Sequence, residues 1–520
     1  MRRIHWSLLA IVATALLLRL ILLPQVQHPG IADPNAYYSL GQALDEGRGP
    51  MQDFIWQYNA PPDEISHPFD YWMPLNGVIV AAAFKIGGQS VTVALLPYVL
   101  MGAFLPLLAY TAARQFGCGD AGSLFVAACA GFLPEFVLNS LRTDTTLPNT
   151  WLLVGATLLL THAIRKNRLG PLLVAGLLAG LAYLIRSDSA LWFPVMIGTA
   201  GLYALWRKST LARSILVGIV GAGVIGLLVV APWLLRNQTL FATPTTPHLS
   251  RMFFLTHHDE HFAYDDDFTL ETMFAAQTIP QLLAKRAFEF LASLKLMLTT
   301  FDVFLPVAVW GGLLLILMRR YKDRLLILAP TLLLIVGFLI FYPILVPMKS
   351  QGGSFKKAFL SLIPLLLPLA GYALEEAISD ARIRQGAMII CVGLLALFAW
   401  DAVRLDVAFV NRYLAYTDKL VAMVRTLPDR NGDGEIRLMS TDPFMLDFYG
   451  IRSVMTPRDD REAVLEVAQR YGIDYGLTPT ERPLLDEVLV QKRVQDARFQ
   501  IVGQIPGENK YFYQFVFDAP

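Results

Sequence analysis

The chain has 520 residues, of which 55% are hydrophobic and only 16% charged, with a formal net charge of +1. A soluble domain carries about a quarter charged residues, and binding a phosphate backbone needs a strong basic excess. An ordinary soluble enzyme and a nucleic-acid partner are therefore both excluded.

The opening run, "MRRIHWSLLAIVATALLLRLILLP", is basic at its front and apolar behind, as a secretory signal is. No small-residue cleavage site follows, and the run is long enough to span a bilayer, so an uncleaved first helix is expected. With this span near 5–24, further spans are expected near 91–113, 121–137, 149–164, 169–186, 190–206, 214–235, 302–318, 325–345, 358–374 and 386–403, about eleven in all. Basic residues fix the direction. Arg2 and Arg3, Arg114, the 165–168 cluster, the 207–213 cluster, the 319–324 cluster, and Arg382 with Arg384 all fall on one side when the N-terminus is inside. This is the cytoplasmic excess that the positive-inside rule requires. The apolar segment 74–88 is too short for a span and suits an interfacial helix; counting it would put Arg114 and the 165–168 cluster outside. The three cysteines, Cys118, Cys129 and Cys391, have no paired spacing and make neither a disulfide framework nor a metal site.

Three polar stretches then face outward: loops of about 25–90 and 236–300, and a tail. A transmembrane domain over 1–404 and a soluble extracytoplasmic domain over 405–520 are expected. The tail alternates strand candidates ("IRLMST", "RSVMT", "DYGLTP", "FQIVGQI", "YFYQFVF") with helical patterns ("REAVLEVAQRYG", "ERPLLDEVLVQ"), which is an α/β pattern. It carries no catalytic constellation and reads as a cap that shapes or covers a site. "DRNGDGE" at 429–435 matches the front of a calcium loop, but Ser440 stands where a bidentate glutamate is needed, so a tight turn before a strand is expected.

Asp33 lies in "GIADPNAYYSLGQAL", about ten residues beyond the first span. Pro34 disfavours helical geometry at Asp33 and is suited to start a helix, so the aspartate is expected at or near a helix N-cap at the membrane surface. "AYYSLGQALDEG" continues as a short amphipathic surface helix. On motif alone, a capping carboxylate is the plainer reading.

Asp33, Tyr37, Tyr38 and then "HPFDYWMPL" resemble the first outer loop of GT-C glycosyltransferases, most of all family 39-type, protein mannosyltransferase-like members. "LPEFVLNSLRTDTTLP", "GLLAGLAYLIRSDSALWFPV", "APWLLRNQTLF" and "GSFKKAFLSLIPLLLPLAGYAL" agree in order, so the resemblance covers most of 1–375. It implies a GT-C fold, a sugar donor on a polyprenyl phosphate, and Asp33 as base or orienter for the acceptor. It also implies substrate contacts from Tyr37, Tyr38, His67 and Asp70. The chain departs from the mannosyltransferase pattern in having Pro34 where an Asp-Glu pair is usual. Asp-Pro is similar to oligosaccharyltransferase catalytic subunits, but their Trp-Trp-Asp-Tyr-Gly signature is missing, and no Trp-Trp pair occurs in the chain.

The chemistry agrees with the resemblance: a hydroxyl acceptor needs a carboxylate, and a phosphate leaving group needs cations. Candidate substrate-binding residues on the outward side are Arg142, Asp144, Arg186, Asp188, Arg236, Lys356 and Lys357, with Arg251 and Lys349 as further cations. Basic side chains snorkelling to the interface are the bland alternative. Asp144 and Asp188 can each pair with the neighbouring arginine. His257, Asp259 and His261, in "LTHHDEHFAYDDDF" with Asp265 to Asp267, are candidate ligands for a divalent metal (manganese, magnesium or zinc), although the spacing matches no firm signature and a solvated loop is the competing reading. The expected partners are the bilayer, a polyprenyl-phosphate sugar and an acceptor whose nature is open, at the extracytoplasmic face of a plasma membrane. Two other functions compete: transfer of a preassembled glycan, as by an oligosaccharyltransferase, and transport or flipping of a lipid-linked sugar, which would place ionisable residues in mid-helix.

Overall fold

Where no water is available, every backbone N–H and C=O must be paired within the chain, so the long apolar runs fold as helices. The computed structural model describes residues 2–208, 212–247, 249–264, 266–302, 304–346, 353–478, 496–508 and 510–517. Lys349, Asp265 and the expected helix "ERPLLDEVLVQ" lie outside these residues. Contacts divide the chain into one unit of 1–29, 72–245 and 280–407 and another of 30–71, 246–279 and 408–520.

In the first unit, the described helices long and apolar enough to cross a membrane number seven: His5–Gln25, Val91–Phe116, Thr146–Lys166, Ser187–Arg207, Arg213–Phe241, Lys322–Leu345 and Ala381–Val424, the last continuing past the unit's boundary. A pair bent by 55°, Ser354–Leu360 and Ile363–Ala377, makes an eighth if counted as one span. The chain is a multi-pass membrane protein. Three of the eleven expected spans are shorter helices, Asp120–Phe132, Leu169–Ile185 and Leu305–Met318, so length and composition support seven or eight spans. The expected span 121–137 breaks where Leu133 leaves helical geometry (ψ 126°) and Pro134 opens a new short helix, Pro134–Asn139. Leu75–Gly87 is likewise a short apolar helix.

Small residues set the tightest packing, as they do wherever lipid leaves no hydrophobic drive between helices. Gly176 and Gly180, one turn apart, face Ala222 and Gly226 of Arg213–Phe241; a Cβ on Gly176 would lie 2.4 Å from the Ala222 carbonyl oxygen. One charge in the last turn of its helix is wholly buried. Arg19, fully buried in the first span, donates to Ser140 Oγ (2.8 Å) and to the carbonyls of Ala15 and Gly131 (both 3.0 Å). Gly131 lies in the last turn of Asp120–Phe132, where unpaired carbonyls favour a cation.

The second unit is an α/β fold. Its strands are β1 (Met51–Gln52), β2 (Phe54–Ile55), β3 (His67–Pro68), β4 (Leu438–Ser440), β5 (Ser453–Met455), β6 (Tyr475–Leu477), β7 (Phe499–Gln504) and β8 (Tyr511–Phe515). β1 pairs with β3, and the others form one sheet in the order β2-β5-β4-β6-β8-β7. Its first four strands are parallel and its last pairings antiparallel. The strand candidates of the tail all form, and "REAVLEVAQRYG" forms the helix Arg461–Arg470 that crosses from β5 to β6. The first loop contributes strands not expected from sequence, the β1–β3 pair and β2, which forms an edge of the larger sheet. Met439, Val454, Val464, Val467 and Tyr513 fill the core with Ile55 and Tyr58 from that loop. The segment 429–435 is the expected turn. Asp429 accepts from the backbone N–H groups of Asn431, Gly432 and Gly434, and both glycines have positive φ (72° and 86°).

Candidate functional site

In the first unit, three cations gather around the break between the short helix Pro134–Asn139 and Thr146–Lys166. Arg186 follows the last residue of Leu169–Ile185 in an extended conformation, which turns its guanidinium back on Asp188 in the following 3₁₀ turn. Nη2 reaches Asp188 Oδ2 at 2.7 Å, and Nε meets both carboxylate oxygens at 3.2 Å. The same Nη2 donates to the Tyr342 hydroxyl (3.0 Å) and the Ser354 carbonyl (3.1 Å), while Nη1 reaches Thr145 Oγ1 at 3.4 Å. Tyr342 in turn donates to Asp188. Ser354 opens the helix that carries Lys356 and Lys357.

Lys357 Nζ sits 2.6 Å from buried Asp144, whose other oxygen accepts from the Thr146 backbone N–H (2.9 Å) and hydroxyl (2.7 Å). Burial alone would raise the Asp144 carboxyl. The Lys357 charge and the bonds from Lys357 and Thr146 outweigh it and bring the carboxyl down to about 2. Lys356 pairs with Glu135. Asn149 locks the arrangement by donating to Ser361 (3.0 Å) and accepting from Ser189 (2.8 Å).

The other two expected substrate-binding cations make contacts of their own. Arg142, which by spacing could pair with Asp144, pairs with Asp406, and Lys357 occupies the Asp144 carboxylate. Arg236 lies over the Trp233 ring at 4.4 Å and the Phe241 ring at 5.3 Å, and donates to Asn237 (2.9 Å). The sequence reading missed Glu135, Tyr342 and Asp302, whose places depend on residues far off in the chain. Burial first, then the charge of Glu135, pushes Asp302 up to about 6 against the pull of Lys356.

That value sets a pH dependence. Above about 6, ionised Asp302 adds a negative charge beside Lys356; below it the charge is gone. If Lys356 contacts the phosphate of a lipid-linked sugar, as expected from the sequence, binding of that diester, which does not titrate here, should tighten from pH 7.5 to pH 5.5. The scale is roughly fivefold, on the order of the ~1 kcal/mol that one charge pair contributes in water. Asp302→Asn should bind equally at both pH values, and weaker wild-type binding at pH 5.5 would contradict the assignment.

In the second unit, Asp33 is the first residue of the helix Asp33–Asp45, with Pro34 behind it. A carboxylate suits the positive end of a helix. Ala32 before it has φ 60° and ψ −120°, a strained backbone for a residue with a Cβ. Tyr37 and Tyr38 are buried on this helix. Burial first, then the charges of Asp33 and Asp70, pushes the Tyr71 phenol well above its usual range, so it keeps its proton. Tyr71 meets Trp56 edge-on at 4.4 Å, and both rings border His261.

His67 Nδ1 donates to the Ile65 carbonyl (2.8 Å), so Nε2 accepts from Gln52 (2.8 Å) and lies 3.9 Å from Asp70. Tyr71 stands inside the quoted "HPFDYWMPL" but was not singled out there, and Trp56 gave no signal in sequence.

His257, Asp259 and His261 do not form a ligand set: among the described residues, no group of three or more His, Cys, Asp or Glu is placed to hold a metal ion. The loop folds on itself instead. Glu260 accepts from Thr256 Oγ1 (2.6 Å) and the His257 backbone N–H (3.2 Å), closing the 3₁₀ turn His258–Phe262. His261 Nδ1 bonds the Asn59 amide at 2.7 Å. Asp267 faces Arg251 at 3.8 Å.

The fold is that of the GT-C membrane glycosyltransferases. More particularly, residues 66–235 match the family profile of the dolichyl-phosphate-mannose-protein mannosyltransferases. ArnT from Cupriavidus metallidurans, solved bound to undecaprenyl phosphate, superposes with a TM-score of 0.59 at 14% identity, over 98% of this chain and 99% of that one. The Archaeoglobus fulgidus oligosaccharyltransferase AglB, solved with an inhibitory peptide and a dolichol-phosphate, gives a TM-score of 0.52 at 12% identity, over 91% of this chain and 69% of that one. No curated protein sequence matches the chain.

Proposed function

We propose that the protein transfers a sugar from a polyprenyl-phosphate carrier to an acceptor at the extracytoplasmic face of the plasma membrane. The observation that carries this reading is the convergence of Arg186 and Lys357 on neighbouring residues, Thr145 and Asp144, with Lys356 one residue away on the same helix. These cations hold the phosphate and stabilise the charge it gains as the sugar leaves. Their carboxylate partners keep them oriented, and an ammonium has three donors, so the Lys356–Glu135 pair does not exhaust Lys356. Asp33 takes the proton of the acceptor hydroxyl, and Tyr71, holding its own proton, donates a hydrogen bond near that carboxylate. The outward direction rests on the basic clusters flanking the spans. The likeness to a protein solved with undecaprenyl phosphate is in keeping with such a donor.

The test is binding of undecaprenyl or dolichyl phosphate to protein in nanodiscs. Arg186→Glu and Lys356→Glu are each expected to weaken it at least tenfold, since a cation is replaced by a charge that repels phosphate. Charge reversal at Arg382, among the basic residues assigned to the cytoplasmic side, should leave it unchanged. Wild-type affinity in both of the first two variants would remove the cations from the donor site.

A further inference from the structure

The helix Pro443–Phe448 crosses from β4 to β5, so the sheet fixes its place. Asp442 caps it by accepting from the Met445 backbone N–H (3.2 Å), and Tyr413 donates to the same Asp442 carboxylate. Along one face of Asp33–Asp45, residues Asn35, Tyr38 and Ser39 stand at the i, i+3, i+4 spacing that lines a single side of a helix. All three meet Pro443–Phe448. The fully buried Asn35 amide donates to the Phe444 carbonyl, and the Ser39 hydroxyl bonds the Asp447 carboxylate. The Tyr38 ring lies 5.7 Å from the Phe448 ring, and Phe444 is held from its other side by Phe54 of β2 at 5.0 Å.

From this geometry we infer that Asn35, Phe444 and Asp447 are positioning residues: the tail's short helix grips the Asp33 helix and so sets the aim of the Asp33 carboxylate. This inference rests on the role of Asp33 proposed above. Asp33 is two residues from Asn35, at the first turn, where an unheld helix frays. The strained backbone at Ala32, immediately before it, persists only where the surroundings over-determine it. The grip supplies that constraint. It gives the tail a part in the reaction without lending it a group that touches substrate.

The experiment uses the full-length protein in nanodiscs with a polyprenyl-phosphate sugar it accepts, and compares Asn35→Ala/Ser39→Ala, Asp447→Ala, Asp447→Asn and Asp33→Asn. The double variant and Asp447→Ala are expected to lower kcat at least tenfold with donor KM within twofold. Asp447→Asn keeps an acceptor for Ser39 and should recover most of the rate. Amide exchange over residues 36–40 should quicken at least tenfold in the double variant. Wild-type turnover and exchange in the double variant, with Asp33→Asn inactive, would overturn the grip and leave the role of Asp33 standing. An active Asp33→Asn would remove that role and the grip with it. If the double variant does not fold, the split between Asp447→Ala and Asp447→Asn decides: equal rates reject the inference.

Discussion

Replacing Asp33 by asparagine is expected to leave a folded, membrane-inserted protein whose sugar transfer has fallen by about 10²–10⁴-fold, the usual cost of losing a general base. Asparagine preserves the shape of the side chain and most of its ability to satisfy helix N-terminal N–H groups, so a purely capping role would cost well under ~2 kcal/mol of stability. The two roles therefore separate by magnitude and by observable. Donor affinity should stay within about twofold, because the cations assigned to the phosphate are other residues. Transfer rate, donor affinity and thermal unfolding measured on one preparation decide the matter. A variant with normal stability and most of its activity would leave Asp33 a cap.

Asp144→Ala is expected to be the most destabilising single change near the proposed donor site. It removes a carboxylate that is only 4% exposed and strands Lys357, whose side chain is 23% exposed. Breaking a buried pair by deleting one partner costs about 3–5 kcal/mol, and the partial exposure of Lys357 points to the lower end. Asp144→Asn keeps an acceptor for Thr146 and should cost less. The pair also carries a pH signature. Asp144 is held at about 2, below the ~3.9 of a free carboxyl, so its contribution is complete above pH 4 and disappears as pH falls through 2. Wild-type protein should lose stability over that window, and Asp144→Asn should lose less. Unfolding followed in detergent across pH 2–5 checks both; a wild type and an Asp144→Asn variant with parallel acid profiles would contradict the pairing.

The parts of this molecule legible in its sequence are those written in local chemistry. Apolar runs announce helices, and alternating apolar residues with turn signals announced every described strand of the tail. Arg186 and Asp188 are two residues apart at a helix end, close enough for their ion pair to be foreseen. Lys357 is on the helix Ser354–Leu360 and Asp144 in the loop before Thr146–Lys166, and only packing brings them together, so local spacing suggested Arg142 instead. The expected span 121–137 ran through the break at Leu133 and Pro134 because hydropathy registers apolar length alone. The edge strand β2 is two residues long, too short for any periodic signal. The contacts of Asn35 and Ser39 with Phe444 and Asp447 cross about 400 residues of chain and have no trace in sequence. The histidine-rich loop drew attention by composition, yet composition does not say where side chains turn, and Glu260 closes that loop on itself.

The central claim is that a sugar leaves a polyprenyl phosphate on this protein. The most direct measurement incubates the purified protein in sealed vesicles with a panel of radiolabelled polyprenyl-phosphate sugars and candidate acceptors, and follows free polyprenyl phosphate and labelled product together. At least one donor should yield both in equal amounts with the wild type, and almost none with Asp33→Asn. Donor that crosses the bilayer with its sugar still attached, or equal release by wild type and Asp33→Asn, would contradict the account.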